Sequence, residues 1–447
     1  MRAIGLDIGT TSIKAAVLEP FGAGVLEERS IRFPAPIEHE DRQIVEVNPH
    51  EILNAIEQAL EGLWSLSNDP CHLLICGQMG GLILADQKGR PRSNYLSWRD
   101  SRSLKSDSPS SGNWPSSGSW LEKLRGRWSE EIWNQLGREL QPGSTTTLLA
   151  WLRHHGQFPS DAIPLTLPDF VVSNFLGQPG LLHSTMAIGI IDPSTHQWHR
   201  QAMERIGIED CNLPTIIDHT APLGQIAHRG RRLHIHGGFG DQPCALLGAG
   251  LQPHRLSINC STGAQVSRRS DRFVPGPYQS RPFFFGDWLQ TITHLPAGRA
   301  LNGWVDLLQE LAGAEGIQLQ SPWQSIAEAL HHHDANGLQA ELALHRSPFA
   351  QTGSLTHITL ENLSVGSLMA ACCDSMVSHY HRAAAALDPQ QRAMQILLTG
   401  GLAERLPGLN HRIASRFQLP VLQVPGESTL QGLLHLASLP ETVAIRN

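Results

Sequence analysis

Lysine is almost missing from this chain. Of its 34 basic residues only Lys14, Lys88, Lys105 and Lys123 are lysines, so an ammonium for a phosphate has few candidates, and Lys14 stands closest to a glycine turn. An excess of positive charge is missing too. The 34 basic side chains face 41 acidic ones, a net charge of −7, which excludes the strongly basic surface that coats nucleic acid. The seven cysteines, Cys71, Cys76, Cys211, Cys244, Cys260, Cys372 and Cys373, form an odd set without a CxxC pair, so neither a disulfide framework nor a zinc site is indicated. No uncharged apolar run reaches the roughly 18 residues of a membrane helix. The first 25 residues carry Asp7, Lys14 and Glu19 within a short apolar pattern, which reads as a strand pair and not as a signal peptide. A soluble, cytoplasmic protein is expected. What is present is length: 447 residues, 40% of them hydrophobic, enough for two or three domains with a substantial core.

The pattern along the chain is α/β. Ala3 to Asp7 is a short apolar run, Gly9 to Ser12 supplies turn residues, and Ile13 to Leu18 resumes the strand pattern, a β-turn-β unit. A third strand is expected over 27–33. Asn48-Pro49 makes an N-cap and first helical residue, and Ile52, Leu53, Ile56, Leu60 and Leu63 then share one face of a helix running to about Trp64. Another strand covers 72–76. Residues 103–119 are rich in Ser, Pro and Gly without an apolar period, the mark of a surface loop. Charge rises around Arg229 to Arg232 and a glycine-rich passage follows, so the domain boundary is placed between 235 and 236. The second half restates the first: 256–260, the turn Ser261-Thr262-Gly263 and 264–268 repeat the design of 3–18. A long amphipathic helix through Val365, Leu368, Met369, Cys372 and Met376 follows, then a strand over 395–398, a helix near 405–417 and a strand over 419–423. Helices alternating with strands imply α/β layers.

The segment GLDIGTTSIKAAVLE, residues 5–19, carries the most chemistry. Asp7 ends a strand, and Gly9 to Ser12 can turn amides and hydroxyls toward an anion. It is not the GxxxxGK[ST] loop, since a second strand follows instead of a helix, and an ordinary hairpin with a polar tip fits the same residues. The turn 261–263 offers a second set of donors, and the two hairpins could clamp a polyphosphate between domains. Asp241 opens a helical run, where it suits an N-cap as well as a general base. His331-His332-His333 could suggest a metal, but adjacent histidines point different ways and a loop is expected there. The 11 tryptophans are scattered, which suits core and cleft lining better than a base-stacking row.

GLDIGTTSIKAAVLE, GQMGG, SWRDSR, GDQPCALLGAG, INCSTGAQVS and LLTGGLA, in this order, resemble the successive motifs of the FGGY carbohydrate kinase family over residues 3 to about 437. The short GQM to W-x-D-x-R spacing and RPFFFGDWLQTITHLPAGRALNGWV are most similar to the sedoheptulokinase-like members. The resemblance implies two ribonuclease H-like domains in the actin-like architecture, closing over a cleft where MgATP phosphorylates a ketose of the sedoheptulose, xylulose or ribulose class. It implies that Asp7 holds Mg²⁺ through water. Thr10, Thr11 and Ser12 would form the first phosphate loop, with Lys14 near it, and Ser261, Thr262 and Gly263 the second. Gly400, Gly401, Leu402 and Arg405 would line the adenosine segment, with Gly298 and Asn302 as further nucleotide contacts. Asp241 would be the catalytic base. Gln78, Met79, Gly80, Trp98, Asp100 and Gln242 would bind the sugar, with a structural Asp100–Arg102 ion pair as the competing role. The expected partner is a small-molecule sugar, with no nucleic acid and no membrane; a homodimer stays open.

Three departures from the motifs stand out. Gly80 occupies the usual histidine position of GQMHG, which is expected to vacate an imidazole's volume in the sugar pocket. Leu402 replaces a small residue of GGGA and is expected to pack on or crowd the adenine. HSTMAIGIID, 183–192, has Ser184 where Asn is common. Two other readings remain beside an active sugar kinase: a catalytically weak, sugar-sensing relative, and an actin-like ATPase, which would lack the GQM and W-x-D-x-R signatures.

Overall fold

A computed structural model describes residues 2–66, 71–106, 117–345, 347–424 and 428–439. Two six-stranded sheets organise it. In the first, strands lie in the order Gly224–His228, Arg231–Gly240, Cys71–Gly77, Ala3–Ile8, Ser12–Glu19, Gly24–Arg32. In the second the order is Gln279–Pro282, Trp288–Leu295, Ala264–Ser270, Arg255–Cys260, Gln395–Thr399, Val421–Gln423. The duplication expected from the sequence holds at the level of pairing. Ala3–Ile8 is antiparallel to its hairpin partner and parallel to Cys71–Gly77, and Arg255–Cys260 has the same two relations to Ala264–Ser270 and Gln395–Thr399. With helices packed around both sheets, this is the two-domain α/β architecture expected, and we call the halves around the two sheets the first and second lobes.

Central strands are apolar on both faces because both faces are covered: all of Ala3–Ile8 and all of Cys71–Gly77 are buried. The strand Gly24–Arg32, at a sheet edge, carries the charges Glu27, Glu28 and Arg29 and is largely exposed, which suits an edge that must not recruit another strand. The helix expected after Asn48 spans Pro49–Leu60, with the Asn48 side chain accepting the His50 N–H at 3.0 Å. It stops short of Trp64 because Glu61 adopts an extended backbone, and a separate 3₁₀ turn covers Leu63–Leu66. The long helix is Val365–Leu387, whose buried Met369, Cys372, Cys373 and Met376 lie in the core of the second lobe.

Three other expectations change. The surface loop over 103–119 begins later, since Ser103 is fully buried and donates to the Pro142 carbonyl at 3.2 Å; residues 107–116 lie outside the described residues. His331 and His332 are exposed but close the helix Pro322–His332 instead of lying in a loop. The boundary between 235 and 236 falls inside Arg231–Gly240, which pairs with Cys71–Gly77 through Gly240. The halves are also not separate in space. The helix Ser428–Ala437 returns to pack on Asp241–Gly248 and on the strands of the first sheet. Their crossing is close: a Cβ on Gly432 would fall 2.0 Å from the Cys244 carbonyl oxygen. One apolar cluster thus joins Ala3, Ala16 and Leu18 of the first sheet to Leu289 and Leu397 of the second through Leu430 and Leu433. All seven cysteines are buried and none forms a disulfide. Among the described residues no helix is long and apolar enough to cross a membrane.

Candidate active site

Each sheet ends its central strand at a hairpin whose tip is polar. In the first lobe Asp7 is 7% exposed, one residue before the strand end, and stands opposite Lys14 on one neighbour and Cys76 on the other. Opposite residues of an antiparallel pair share a face, so the acid and the ammonium are set side by side by register. The turn 9–12 is braced from outside. The Gln78 N–H donates to the Ile8 carbonyl at 3.0 Å, its Nε2 to the Gly9 carbonyl at 3.4 Å, and Trp98 Nε1 to Thr10 Oγ1 at 3.0 Å. Gln78 Oε1 accepts from the buried Tyr95 hydroxyl at 3.3 Å. Its amide is therefore occupied at both ends, by the hairpin at one and by Tyr95 at the other.

In the second lobe the bracing is tighter and mostly backbone. The Gly298 N–H donates to the Ser261 carbonyl at 3.1 Å and that of Arg299 to Thr262 at 2.8 Å. Ser261 Oγ donates to Asn259 Oδ1 at 3.2 Å, and Asn259 Nδ2 to Thr399 Oγ1 at 3.1 Å. Gly400 has φ +97°, and a Cβ there would lie 2.3 Å from the Cys260 carbonyl oxygen. Only glycine lets the 399–401 turn close on the hairpin at this distance and φ. The structure thus gathers 261–263, Gly298 and Gly400, with Gly401 exposed beside them and Asn302 and Arg405 exposed on their helices. Leu402 departs from expectation: at 6% exposure it packs into the second-lobe core, because it lies on the inner face of Gly401–Arg405.

Asp241 sits between the hairpins. It is the first residue of the helix Asp241–Gly248, whose N-cap is Gly240; its carboxylate is thus not the cap. Asp241 Oδ1 accepts the Gln242 N–H at 2.7 Å. Burial pushes its carboxyl up to about 6, against the opposing pull of the Gln242 amide and the Arg281 charge. Its backbone is held from behind, where Thr185 Oγ1 accepts the Gly240 N–H at 3.1 Å and itself meets His183 Nδ1 at 2.8 Å. Burial lowers His183 to about 3, so this imidazole is neutral. Ser184, in the position where Asn is common, hydrogen-bonds Asp218 at 2.5 Å. The thiols of Cys76 and Cys244, hydrogen-bonded to each other and pushed up by burial, lie in electrostatic reach of both Asp7 and Asp241. A cavity of about 200 Å³ joins Asp241 and Gln242 to Asn259, Gln265 and Thr399 of the second lobe.

The expected sugar face divides. Trp98 is 44% exposed. Met79 packs at Gly240, its sulfur 3.0 Å from where a Cβ would be. At Gly80, with φ +79°, a Cβ would lie 3.1 Å from the Gly143 carbonyl and 3.3 Å from Trp98 Cβ, so the position is crowded at its first side-chain atom. The backbone of 143–144 stands against the first atom of any side chain placed there. Asp100, 1% exposed, departs from its expected substrate contact, as both oxygens are committed. Arg102 Nε meets Oδ1 at 2.9 Å and its Nη2 meets Oδ2 at 2.8 Å, while the Val45 N–H donates to Oδ2 at 2.9 Å. This structural ion pair anchors the segment that presents Trp98. Gln242 donates from Nε2 to Gln265 Oε1 at 3.0 Å and accepts at Oε1 from Arg281 at 2.7 Å.

Sequence reasoning missed Asn259, Thr399, Gln265, Arg281 and Glu139. The first four lie inside or beside quoted motifs, but motif membership does not say which side chains face a cleft; Glu139 had no signal at all. Among the described residues no group of three or more His, Cys, Asp or Glu side chains could hold an ion. A cation here would rest on one or two carboxylates with water and phosphate oxygens, a donor set that suits Mg²⁺.

Residues 2–248 match the family model described as "FGGY family of carbohydrate kinases, N-terminal domain". The chain is 24% identical to the xylulose kinase of Staphylococcus xylosus over 58% of its own length and 53% of that protein, so it spans about half the length of that relative. It is 22% identical to human sedoheptulokinase, over 94% of this chain and 93% of the human one. In fold it is similar to Plasmodium falciparum glycerol kinase solved with ADP, with TM-score 0.80 and 15% identity over 97% of this chain and 88% of that one.

Proposed function

The chain belongs to the FGGY family of carbohydrate kinases, and we propose that it transfers the γ-phosphate of ATP to a hydroxyl of a ketose of the sedoheptulose, xylulose or ribulose class. The observation that carries this reading is the position of Asp241, whose cavity reaches second-lobe residues flanking one hairpin while Met79 packs against the adjoining Gly240. A carboxyl near 6 is roughly tenfold more ionised than protonated at pH 7, so it can accept a proton without being as weak a base as a solvated aspartate. In the proposed step the sugar O–H proton passes to Asp241 as that oxygen bonds to the γ-phosphorus and the bond to the β-bridging oxygen breaks, releasing ADP. Thr10 to Ser12 and Ser261 to Gly263 supply amides and hydroxyls to the phosphates, since this chemistry needs positioning and charge neutralisation more than covalent help. Asp7 would hold Mg²⁺, which when bound neutralises phosphate charge, and Lys14 adds a cation across the strand. Gly298, Asn302, Gly400, Gly401 and Arg405 would surround the nucleoside.

A coupled ADP-release assay over ketoses, polyols and sugar acids, with a no-sugar control, tests the reading. Turnover is expected only with a sugar. Hydrolysis of ATP that ignores every sugar would replace the reading with an actin-like ATPase. Sugar-induced thermal stabilisation without turnover would replace it with a sugar-sensing relative.

A further inference from the structure

We propose that Arg281, clamped by Glu139 from the opposite lobe, is a positioning residue of the phosphotransfer site: it fixes which end of the Gln242 amide faces the acceptor and places a cation beside Asp241. The inference rests on the kinase reading and assigns residues that no motif of the resemblance assigned.

Arg281 lies on Gln279–Pro282, an edge strand of the second sheet, and is 8% exposed. Glu139, 3% exposed, belongs to the long insertion between Cys71–Gly77 and Gly224–His228 of the first sheet. Arg281 Nε donates to Glu139 Oε1 at 2.7 Å and Nη2 approaches the same oxygen at 2.5 Å. Gln279 Nε2 reaches Oε2 at 3.4 Å, and the Ser280 N–H donates to the Gly137 carbonyl at 2.8 Å. The insertion is therefore docked on the sheet edge by backbone and side chain together. The third arm of the guanidinium, Nη1, donates to Gln242 Oε1 at 2.7 Å.

That last bond has a chemical consequence. An amide offers one accepting and one donating end, and a guanidinium can only donate. With Oε1 held by Arg281, Gln242 must present its NH₂ to Gln265 and to the cavity shared with Asp241. An acceptor oxygen meets a donor there. Glu139 holds the guanidinium that sets this orientation, which ties the arrangement beside the base to contact between the lobes. The same cation opposes the upward push of burial on Asp241. The other groups facing this carboxylate are the Gln242 N–H and, within electrostatic reach, the thiols of Cys76 and Cys244 and the Tyr95 hydroxyl. Arg281 is the cation that acts on this carboxylate, while Asp7, within reach of the same thiols, and Lys14 opposite it on the neighbouring strand are left unchanged in every variant.

The test uses the full chain with Arg281→Gln, Arg281→Lys, Glu139→Gln and the pair Arg281→Met with Glu139→Leu. Two readouts are taken: the acid limb of kcat/KM for the sugar, and carbon-13 titration of the Asp241 carboxyl, identified by its loss in Asp241→Asn. Arg281→Gln should move both to higher pH and raise the sugar KM about tenfold, the scale of one lost hydrogen bond, with ATP affinity by calorimetry unchanged. Glu139→Gln should move both to lower pH, because the guanidinium is no longer neutralised. Arg281→Lys should keep the limb near that of the parent while KM rises. The Met/Leu pair fills the volume without charge, and must unfold near the parental temperature yet still shift upward, by less than Arg281→Gln because the Glu139 charge is removed as well. Opposite shifts with opposite charge changes are not produced by a purely structural pair. A titration of Asp241 that is the same in all variants overturns the inference whether or not the enzyme turns over. An inactive parent whose Asp241 titration still shifts as described overturns the kinase reading and leaves the positioning of Asp241 by Arg281 standing.

Discussion

The two hairpins share a backbone plan and differ in charge at one matching register. One rung before the last of each hairpin ladder, the first lobe pairs Asp7 with Lys14 and the second pairs Asn259 with Gln265. The first pair is ionic and the second is a pair of neutral amides. The bracing differs in the same sense. Side chains of Gln78 and Trp98 support the first tip, whereas backbone bonds from Gly298 and Arg299 and the close approach of Gly400 support the second. The comparison teaches that duplication preserves the turn, which is a matter of backbone geometry, while each copy is free to take a different electrostatic task. An acid suits the side that would meet a cation, and amides suit a side that would meet phosphate oxygens without repelling them.

The largest effect should come from the residue between the two hairpins. Asp241→Asn is expected to lower kcat by about 10²–10⁴-fold, the usual range for a general base, with ATP binding retained in calorimetry. In the parent, kcat/KM should fall as pH drops through about 6, where Asp241 takes up its proton. Stability should run the other way. The folded carboxyl titrates above its unfolded value, so the stability it contributes is complete below the unfolded value and lost as pH rises through about 6. At pH 7 the Asn variant should therefore be more stable by about 1–3 kcal/mol in denaturant titration. An active Asn variant would remove Asp241 from the mechanism.

Exchanging the tasks of the two hairpins breaks the comparison directly. Asp7→Asn makes the first ladder neutral like the second and should lower kcat by roughly 10²–10³-fold, the scale of losing one preorganised electrostatic contact. Asn259→Asp should weaken ATP binding at least about tenfold through repulsion of the phosphates. If calorimetry finds ATP affinity unchanged in Asn259→Asp, the second hairpin is not a phosphate loop.

Backbone support should respond next. Gly400→Ala puts a methyl group 2.3 Å from the Cys260 carbonyl at φ +97°, and should destabilise by about 1–3 kcal/mol or more in chemical denaturation. An unchanged midpoint would mean that the 399–401 turn does not close on the hairpin. The smallest effect is expected at Gly80→Ala, where the contact is 3.1 Å. A loss of about 1 kcal/mol with no change in sugar ranking is the expected result, because the methyl group meets the Gly143 carbonyl rather than open pocket. A changed ranking would restore Gly80 to the sugar pocket.

Much of this was legible in the residues. The β-turn-β units read correctly because strand period and turn residues are local, as with Ala3 to Leu18 and Leu256 to Arg268. The helix after Asn48 was legible for the same reason, and its end was not, since one extended residue, Glu61, stops it. Gly80 shows the limit most clearly. From the motif it looks like a hole, yet Gly143 and Ser144, some sixty residues on, lie against the point where its side chain would begin. Leu402 likewise looked free to meet a nucleotide until the second-lobe core claimed it.

The sequence by itself determined the strands, the turns, the duplicated hairpins and the order of motifs, all of which follow from propensity and spacing between near neighbours. Only the tertiary structure decided that Gly240 and not Asp241 caps the helix. It alone decided that Asp100 serves Arg102, that the last helix returns to the first sheet, and that Glu139 meets Arg281 across the cleft. Burial and long-range pairing decide these matters. A side chain's exposure, and with it the proton affinity of a group such as Asp241, depends on what folds over it, and no local pattern encodes that.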